Sequence, residues 1–327
     1  MEDLKILSSN DEKKLTDEEL VKYYSKLREC LIKMNFDCYS DKQLLLREKL
    51  NILIKKILKV VLKYDIEIEG LENIPNRAVI YASSHQDFYD IINSIYSYPE
   101  HVLTLNASNI SFLLKQLLNI NGVFFVDRDS KESRKKSKID MELSLLKGKS
   151  INVYPEATWN CTPSKLHLPF YIGIIDIAKT TGAPIIPVVQ EYTYDQSKLD
   201  GKSHVKKVNI SFGKPIYVDV KDDRIEKLKD FDEEFSTLRW NLIEGKGMYK
   251  RQDLPNRLYT DYIKARIHDW RIPKNDILEE RKQVYKSDDD FYLFHHVNDV
   301  DFDDEDNFLP TEYVRRLNKI HNKHFTK

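Results

Sequence analysis

Residues 78–99 read AVIYASSHQDFYDIINSIYSYP. The apolar run Ala78–Ala82 predicts a short buried strand, because β-branched and aromatic residues pack well on a pleated surface. Helical spacing takes over near Phe88–Tyr98. Between them lies the polar segment Ser84-His85-Gln86-Asp87-Phe88-Tyr89-Asp90. The order strand, polar loop, helix puts a histidine and two aspartates where a strand ends and a helix begins.

The same rhythm continues in both directions. Strands are expected at Ile66–Glu69, Ala78–Ala82, Val102–Asn106, Val123–Asp127, Ile151–Tyr154, Pro184–Gln190 and Val205–Phe212. Helices are expected near Phe88–Tyr98, Asn109–Ile120, Lys131–Lys147 and Ile172–Thr181. This alternation predicts an α/β fold with a mixed, largely parallel sheet flanked by helices. Chemistry in such sheets sits on loops at the strand ends.

Upstream, Thr16 and Glu19 form a capping-box pattern, with Leu15 and Leu20 placed as a hydrophobic staple. The helix they open carries Leu20, Tyr23, Leu27, Leu31 and Met34 on one face. Ser40 with Gln43 and Tyr39 with Leu44 repeat both devices for a second helix reaching about Lys63. Its apolar stripe is Leu46, Leu50, Leu53, Ile54, Ile57, Leu58, Val61 and Leu62, with Lys49, Lys55, Lys56, Lys59 and Lys63 on the other side. Two readings fit: a helix packed on the core with solvated lysines, or one lying flat in a lipid interface. Downstream of Val220 the signal weakens to a helix at Asp232–Ile243, then a charged and aromatic extension. Three parts are therefore expected: a two-helix segment over 1–64, an α/β core over 65–220, and a helical, irregular extension over 221–327.

The chain has 327 residues and a formal net charge of −1, with 41% hydrophobic and 32% charged residues. That balance argues against a general polyanion binder, so no nucleic-acid partner is expected. The three cysteines, Cys30, Cys38 and Cys161, are an odd count with no CxxC or Cys/His metal spacing. A reducing compartment, no disulfide framework and no metal site are expected. The N-terminus lacks the apolar core of a signal peptide, and no apolar run approaches the ~20 residues that span a bilayer. Any membrane contact is expected from the cytoplasmic side, at the surface.

Four segments fall at predicted strand ends. In the first, His85 can take a proton from an attacking hydroxyl if a carboxylate fixes its tautomer. Asp90 can reach back to the ring; Asp87 competes, and spacing does not separate the two. The second, Gly122 to Arg128, ends a buried strand in Asp127-Arg128. The guanidinium suits a phosphate, and equally an Asp–Arg surface pair. The third, Val153 to Trp159, offers Glu156 and Thr158, for substrate hydroxyls or for capping a loop. The fourth is Ala183-Pro-Ile-Ile-Pro187-Val188, whose prolines suit a sheet edge or a shaped wall.

Taken in order, these segments resemble the blocks of the lysophospholipid acyltransferase superfamily (1-acylglycerol-3-phosphate acyltransferase-like): His-x4-Asp, Gly-x-x-Phe-Ile-Asp-Arg, Phe-Pro-Glu-Gly-Thr-Arg and Pro-Ile-x-Pro. Here they are His85–Asp90, Gly122–Arg128, Tyr154–Trp159 and Pro184–Pro187, and the lead-in Gly70 to Pro75 is similar too. The resemblance spans roughly Glu67 to Val218. It implies O-acyl transfer from an acyl-CoA or acyl-carrier-protein thioester to a lipid hydroxyl, without a cofactor, at a membrane surface. It implies His85 as base and Asp90 as its support. It also implies Arg128 as ligand for the acceptor phosphate, and Gly122, Glu156, Thr158, Trp159 and Pro187 as parts of the substrate site. Two positions depart from the pattern: the third-block glycine is Ala157 and its arginine is Trp159. Trp159 cannot pair with a phosphate as arginine does. Lys165 or His167 would have to compensate, or the acceptor is an uncharged glycolipid or polyol. A lipid-binding protein without turnover is the remaining alternative.

Overall fold

The computed structural model describes residues 9–34, 41–86, 89–107, 122–127, 130–157, 166–168, 170–194 and 205–246. Elements run in the order α1 (Ser9–Glu12), α2 (Asp17–Lys33), α3 (Asp41–Val61), β1 (Asp65–Glu69), β2 (Ile80–Ser83), α4 (Asp90–Ser97), β3 (Leu103–Ala107), β4 (Val123–Val126), α5 (Lys131–Leu146), β5 (Ile151–Val153), α6 (Gly173–Thr181), β6 (Ile185–Tyr194), β7 (Val205–Phe212) and α7 (Arg224–Gly245). The expected helix at Asn109–Ile120, the Ser40 cap and everything after Lys246 lie outside the described residues.

The strands form one sheet in the order β1-β7-β6-β2-β5-β3-β4. The β6–β7 pairing is antiparallel and the others are parallel. The mixed, largely parallel α/β fold is thus what the alternation predicted. The central strand β2 is buried throughout, as expected when helices cover both faces. At the β1 edge, Asp65, Glu67 and Glu69 are exposed while Ile66 and Ile68 are half-buried. Charges along an unpaired rim discourage edge-to-edge association.

The main core joins Ile80 and Ala82 of β2 to Leu103, Phe124, Ile151, Ile175, Ile185 and Val189. Phe231, Phe235 and Leu242 of α7 belong to the same cluster. The core therefore continues past residue 220, and α7 is part of it. The helix also starts two turns earlier than expected, because the Asp223 carboxylate caps the N–H groups of Ile225 and Glu226.

The capping box at Thr16 and Glu19 forms, and α2 buries Leu20, Tyr24 and Leu31. Tyr24 joins the buried face, Tyr23 and Leu27 pack against it half-buried, and Met34 is exposed. In α3 the expected stripe splits. Ile54, Leu58 and Leu62 are half-buried, whereas Leu46, Leu53, Ile57 and Val61 are exposed, together with Leu45, Ile52 and Val60. Lys55, expected on the solvated side, is half-buried and donates to the Tyr98 carbonyl.

Candidate active site

Strand lengths build the site. β2 ends at Ser83, but its parallel neighbour β6 runs on to Tyr194. The overhanging half of β6 flanks the His85 loop and the start of α4. Alternation sends Gln190 and Tyr192 to that side and Pro187 and Glu191 to the other. The loop is fastened to β6 at both ends: Gln190 N–H donates to Ser84 Oγ at 2.9 Å, and Gln86 Nε2 donates to the Gln190 carbonyl at 2.9 Å.

His85 Nδ1 lies 2.9 Å from Asp90 Oδ2. Asp90 has no exposed surface and is the first residue of α4, where the helix dipole favours a negative charge. The same Oδ2 accepts the Gln86 backbone N–H at 2.6 Å, and Oδ1 accepts the Tyr192 hydroxyl at 2.5 Å. Three donors converge on this buried carboxylate and fix its rotation. It therefore holds the hydrogen of His85 on Nδ1 and leaves the basic lone pair on Nε2. The imidazole retains 13% of its side-chain surface and stacks on Tyr154, with ring centroids 4.3 Å apart. Asp87 lies outside the described residues.

Glu156 is fully buried. Its Oε1 accepts His85 N–H at 3.2 Å and its Oε2 accepts Leu168 N–H at 2.7 Å. The carboxylate thus pins the His85 loop to the segment around Leu168. Burial raises its pKa above the usual carboxylate range, against the opposing pull of Arg239, His167 and the two N–H bonds. Ala157 follows with φ of 56°, in the left-handed region where the resembling family has glycine.

Two expected site residues lie elsewhere. Gly122 precedes β4, so it sits at the opposite end of that strand from Asp127, roughly 15 Å away at strand rise. Its φ is 92°, and a Cβ there would come 2.6 Å from Leu103 and 3.2 Å from Arg47. Gly122 is a packing residue: it lets β4 start against α3. Pro187 is buried in β6 on the side away from Tyr192, beneath Gly213, whose N–H donates to the Pro187 carbonyl at 2.8 Å. It packs against Gly213. Arg128, Thr158, Trp159 and Lys165 lie outside the described residues.

His167, expected as a possible substitute cation for the acceptor phosphate, is turned inward. Its Nδ1 lies 2.8 Å from the Leu168 carbonyl, and its Nε2 lies 2.8 Å from Ser236 Oγ and 2.7 Å from Asp232 Oδ1. The ring stacks on Phe170 at 4.1 Å. Sequence reading missed Tyr192, Gln190, Tyr154 and Asn93. Tyr154 opened a recognised block without being given a role; the others carry no local signal.

Residues 65–191 match the family described as Acyltransferase. This segment is similar to that family over less than half of the chain. A relative in Saccharomyces cerevisiae, a 1-acyl-sn-glycerol-3-phosphate acyltransferase, is 26% identical over 141 residues, which are 42% of this chain. The chain spans 46% of that protein's length. The crystal structure of the 1-acyl-sn-glycerophosphate acyltransferase of Thermotoga maritima aligns with a TM-score of 0.47 at 20% identity, covering 72% of this chain and 98% of that one. The matched acyltransferase segment contains His85, Asp90 and Glu156 and stops at Glu191, one residue short of Tyr192.

Proposed function

We propose that the protein moves a fatty acyl group from a thioester, acyl-CoA or acyl-carrier protein, to a hydroxyl of a lysophospholipid such as 1-acylglycerol-3-phosphate. The observation that carries this reading is the His85–Asp90 pair, at 2.9 Å, at a strand end inside the segment that matches the Acyltransferase family. His85 Nε2 removes the acceptor hydroxyl proton as the oxygen attacks the thioester carbonyl. The tetrahedral intermediate collapses, the C–S bond breaks, and the leaving thiolate takes the proton from the imidazolium. The thioester is already activated, so neither a covalent enzyme intermediate nor a cofactor is required. The His85 and Gln86 N–H groups are committed to Glu156 and Asp90. The oxyanion must therefore draw on other donors.

Acceptor choice rests on Arg128 and Trp159. An intact Asp127-Arg128 favours a phosphate-bearing acceptor, while tryptophan in place of arginine favours a sugar or polyol face. The decisive assay supplies acyl-CoA with 1-acylglycerol-3-phosphate or with an uncharged lysoglycolipid, and follows thiol release together with acylated product. Product from the phosphate acceptor supports the main reading, and product from the glycolipid alone transfers it to the second. Free fatty acid without acylated product in either arm sinks both.

The exposed face of α3 supports work at a membrane. Leu46, Leu53, Ile57, Val60 and Val61 form an open apolar strip flanked by exposed Lys42, Lys49, Lys56, Lys59 and Lys63. Among the described residues no helix is long and apolar enough to cross a bilayer. We propose that α3 seats on the anionic inner face of the cell membrane from the cytoplasmic side. Sedimentation with phosphatidylglycerol vesicles should capture the protein, less at high salt and less for Leu53→Asp. Equal recovery of wild type and Leu53→Asp would remove α3 from the interface.

A further inference from the structure

We propose that Tyr64, Asn93 and Tyr192 are positioning residues for the His85–Asp90 pair, joined in a hydrogen-bond relay whose hydrogens all point toward the Asp90 carboxylate. The proposal rests on the reading of that pair as the reacting base and its support. Tyr64 O–H donates to Asn93 Oδ1 at 2.8 Å, Asn93 Nδ2 donates to Tyr192 Oη at 2.9 Å, and Tyr192 O–H donates to Asp90 Oδ1 at 2.5 Å. Asn93, Tyr192 and Asp90 are buried and Tyr64 is half-buried.

The polarity of the relay follows from one charge. An ionised Asp90 only accepts, so the single hydroxyl hydrogen of Tyr192 must go to it. Gln190 Oε1, at 3.4 Å, is the longer alternative for that hydrogen. The Tyr192 oxygen then only accepts from Asn93, which must turn its NH2 toward Tyr192. Its carbonyl therefore faces Tyr64, which must donate. Hydrogen bonds aligned in one direction polarise one another, more so in a low-dielectric interior. The relay reaches Asp90 on the oxygen opposite the one that holds His85.

Its ends bracket the acyltransferase segment: Tyr64 precedes residue 65 and Tyr192 follows residue 191. Tyr64 stands between α3 and β1 and also meets the ring of Tyr89 edge-on, with centroids 5.9 Å apart. The relay thus joins the chain just after the lysine-flanked helix to the reacting histidine. Other titratable groups around the pair are Tyr98 beyond α4, Tyr154 over the His85 ring, and Glu156 under its backbone with Arg239 and His167 behind it.

Removing the Tyr192 hydrogen leaves more of the Asp90 charge for His85. The imidazole then binds its proton more tightly, and the carboxylate is less fixed in rotation. The test uses the full chain with Tyr192→Phe, Tyr64→Phe and the double variant, each checked by thermal unfolding. Rates are read with acyl-CoA and 1-acylglycerol-3-phosphate, and His85 titration is followed separately by 15N-histidine NMR without substrate. Tyr192→Phe is expected to lower kcat roughly 10- to 100-fold, the value of one hydrogen bond to a charged group. KM for acyl-CoA should stay within about twofold. The His85 titration and the acid limb of the kcat/KM profile should move up by roughly half a unit. Tyr64→Phe should act in the same direction by roughly two- to fivefold, and the double variant should match Tyr192→Phe alone. A Tyr192→Phe protein with wild-type kcat and wild-type His85 titration overturns the proposal, and so do single effects that multiply in the double variant. If His85→Ala turns over normally while Tyr192→Phe still shifts the His85 titration, the catalytic reading fails and the relay stands.

Discussion

His85 and His167 are surrounded by the same kinds of neighbour. Each lies within hydrogen-bond distance of an aspartate and each stacks on an aromatic ring, Tyr154 at 4.3 Å and Phe170 at 4.1 Å. The difference lies in what the second nitrogen meets and how much of the ring is open. His167 has 5% of its side chain exposed and spends both nitrogens inside the protein, one on the Leu168 carbonyl and one on Ser236 and Asp232 of α7. With hydrogen-bond partners on both sides it ties the segment after the third block to the C-terminal helix. His85 directs Nδ1 to a buried carboxylate and keeps 13% of its side chain exposed, as the proton transfer proposed for its other nitrogen requires. A carboxylate beside a histidine thus marks a base only when the rest of the ring can meet a substrate.

The largest expected effects separate the two rings. His85→Ala should reduce acyl transfer roughly 10²- to 10⁴-fold with an unchanged unfolding midpoint, the usual weight of a positioned base. His167→Ala should do the reverse. It leaves Ser236 and the Leu168 carbonyl without their buried hydrogen-bond partner and should cost about 2–4 kcal/mol in urea denaturation, with a smaller loss of kcat. Steady-state kinetics and denaturation on both proteins check this. If His167→Ala abolishes turnover in a fully folded protein, the contrast drawn here is wrong.

A second pair sharpens the contrast between residues of the recognised blocks that reach the site and those that do not. Glu156 reaches the His85 loop through its carboxylate, while Gly122 stands at the far end of its strand. Gly122→Ala places a methyl 2.6 Å from buried Leu103 at a φ of 92°. It should destabilise by about 1–3 kcal/mol. Below the new melting temperature, kcat and KM should stay near wild type. A selective rise in acceptor KM without destabilisation would return Gly122 to the substrate site.

Much of this molecule was legible in its sequence, and the boundary of legibility has a physical cause. All seven described strands lie where short apolar runs predicted them; burial on both faces marks inner strands such as β2, and alternation marks the β1 edge. The Thr16–Glu19 box is equally local. His85, Asp90 and Glu156 were visible because the strand-end blocks are contiguous. Tyr192 was invisible: it reaches Asp90 across 102 residues of chain, and a tyrosine in an apolar strand reads as core. The inward turn of His167 depends on α7, whose packing no local pattern announces. Gly122 and Pro187 shared blocks with site residues, yet strand direction and alternation carried them away. The early start of α7 did have a signal, the Asp223 cap, which the weak apolar pattern hid.

Glu156 is a member of the site whose ionisation opposes folding near neutral pH. Its pKa is raised in the folded state by burial. Such a group favours folding below its unfolded pKa, about 4.3, and that contribution is lost as pH rises through the folded value. Glu156→Gln lacks this dependence. Urea titrations at pH 5 and pH 8 should therefore show the variant gaining on wild type at the higher pH. His167→Gln should show no such gain, since it leaves the Glu156 carboxyl in place. A constant stability gap for Glu156→Gln would mean that the carboxyl is unshifted by its burial.

The smallest effect concerns Ala157, beside Glu156, where the chain departs from the glycine of the resembling family. At φ 56° its Cβ crowds the following carbonyl oxygen, at a cost of roughly 1–2 kcal/mol. The turn is nevertheless closed, with Ala157 N–H donating to the Tyr154 carbonyl at 2.9 Å. That turn carries Tyr154 onto the His85 ring and Glu156 into its two N–H bonds. Ala157→Gly removes the crowding but gives the unfolded chain more freedom, worth roughly 0.5–1 kcal/mol in the other direction. The net should be a gain of about 0.5 kcal/mol in denaturation, with kcat within about twofold of wild type, because Glu156 and not the alanine methyl fixes the loop. A large change in kcat from this one methyl group would mean that the strained turn, rather than the Glu156 clamp, sets the position of His85.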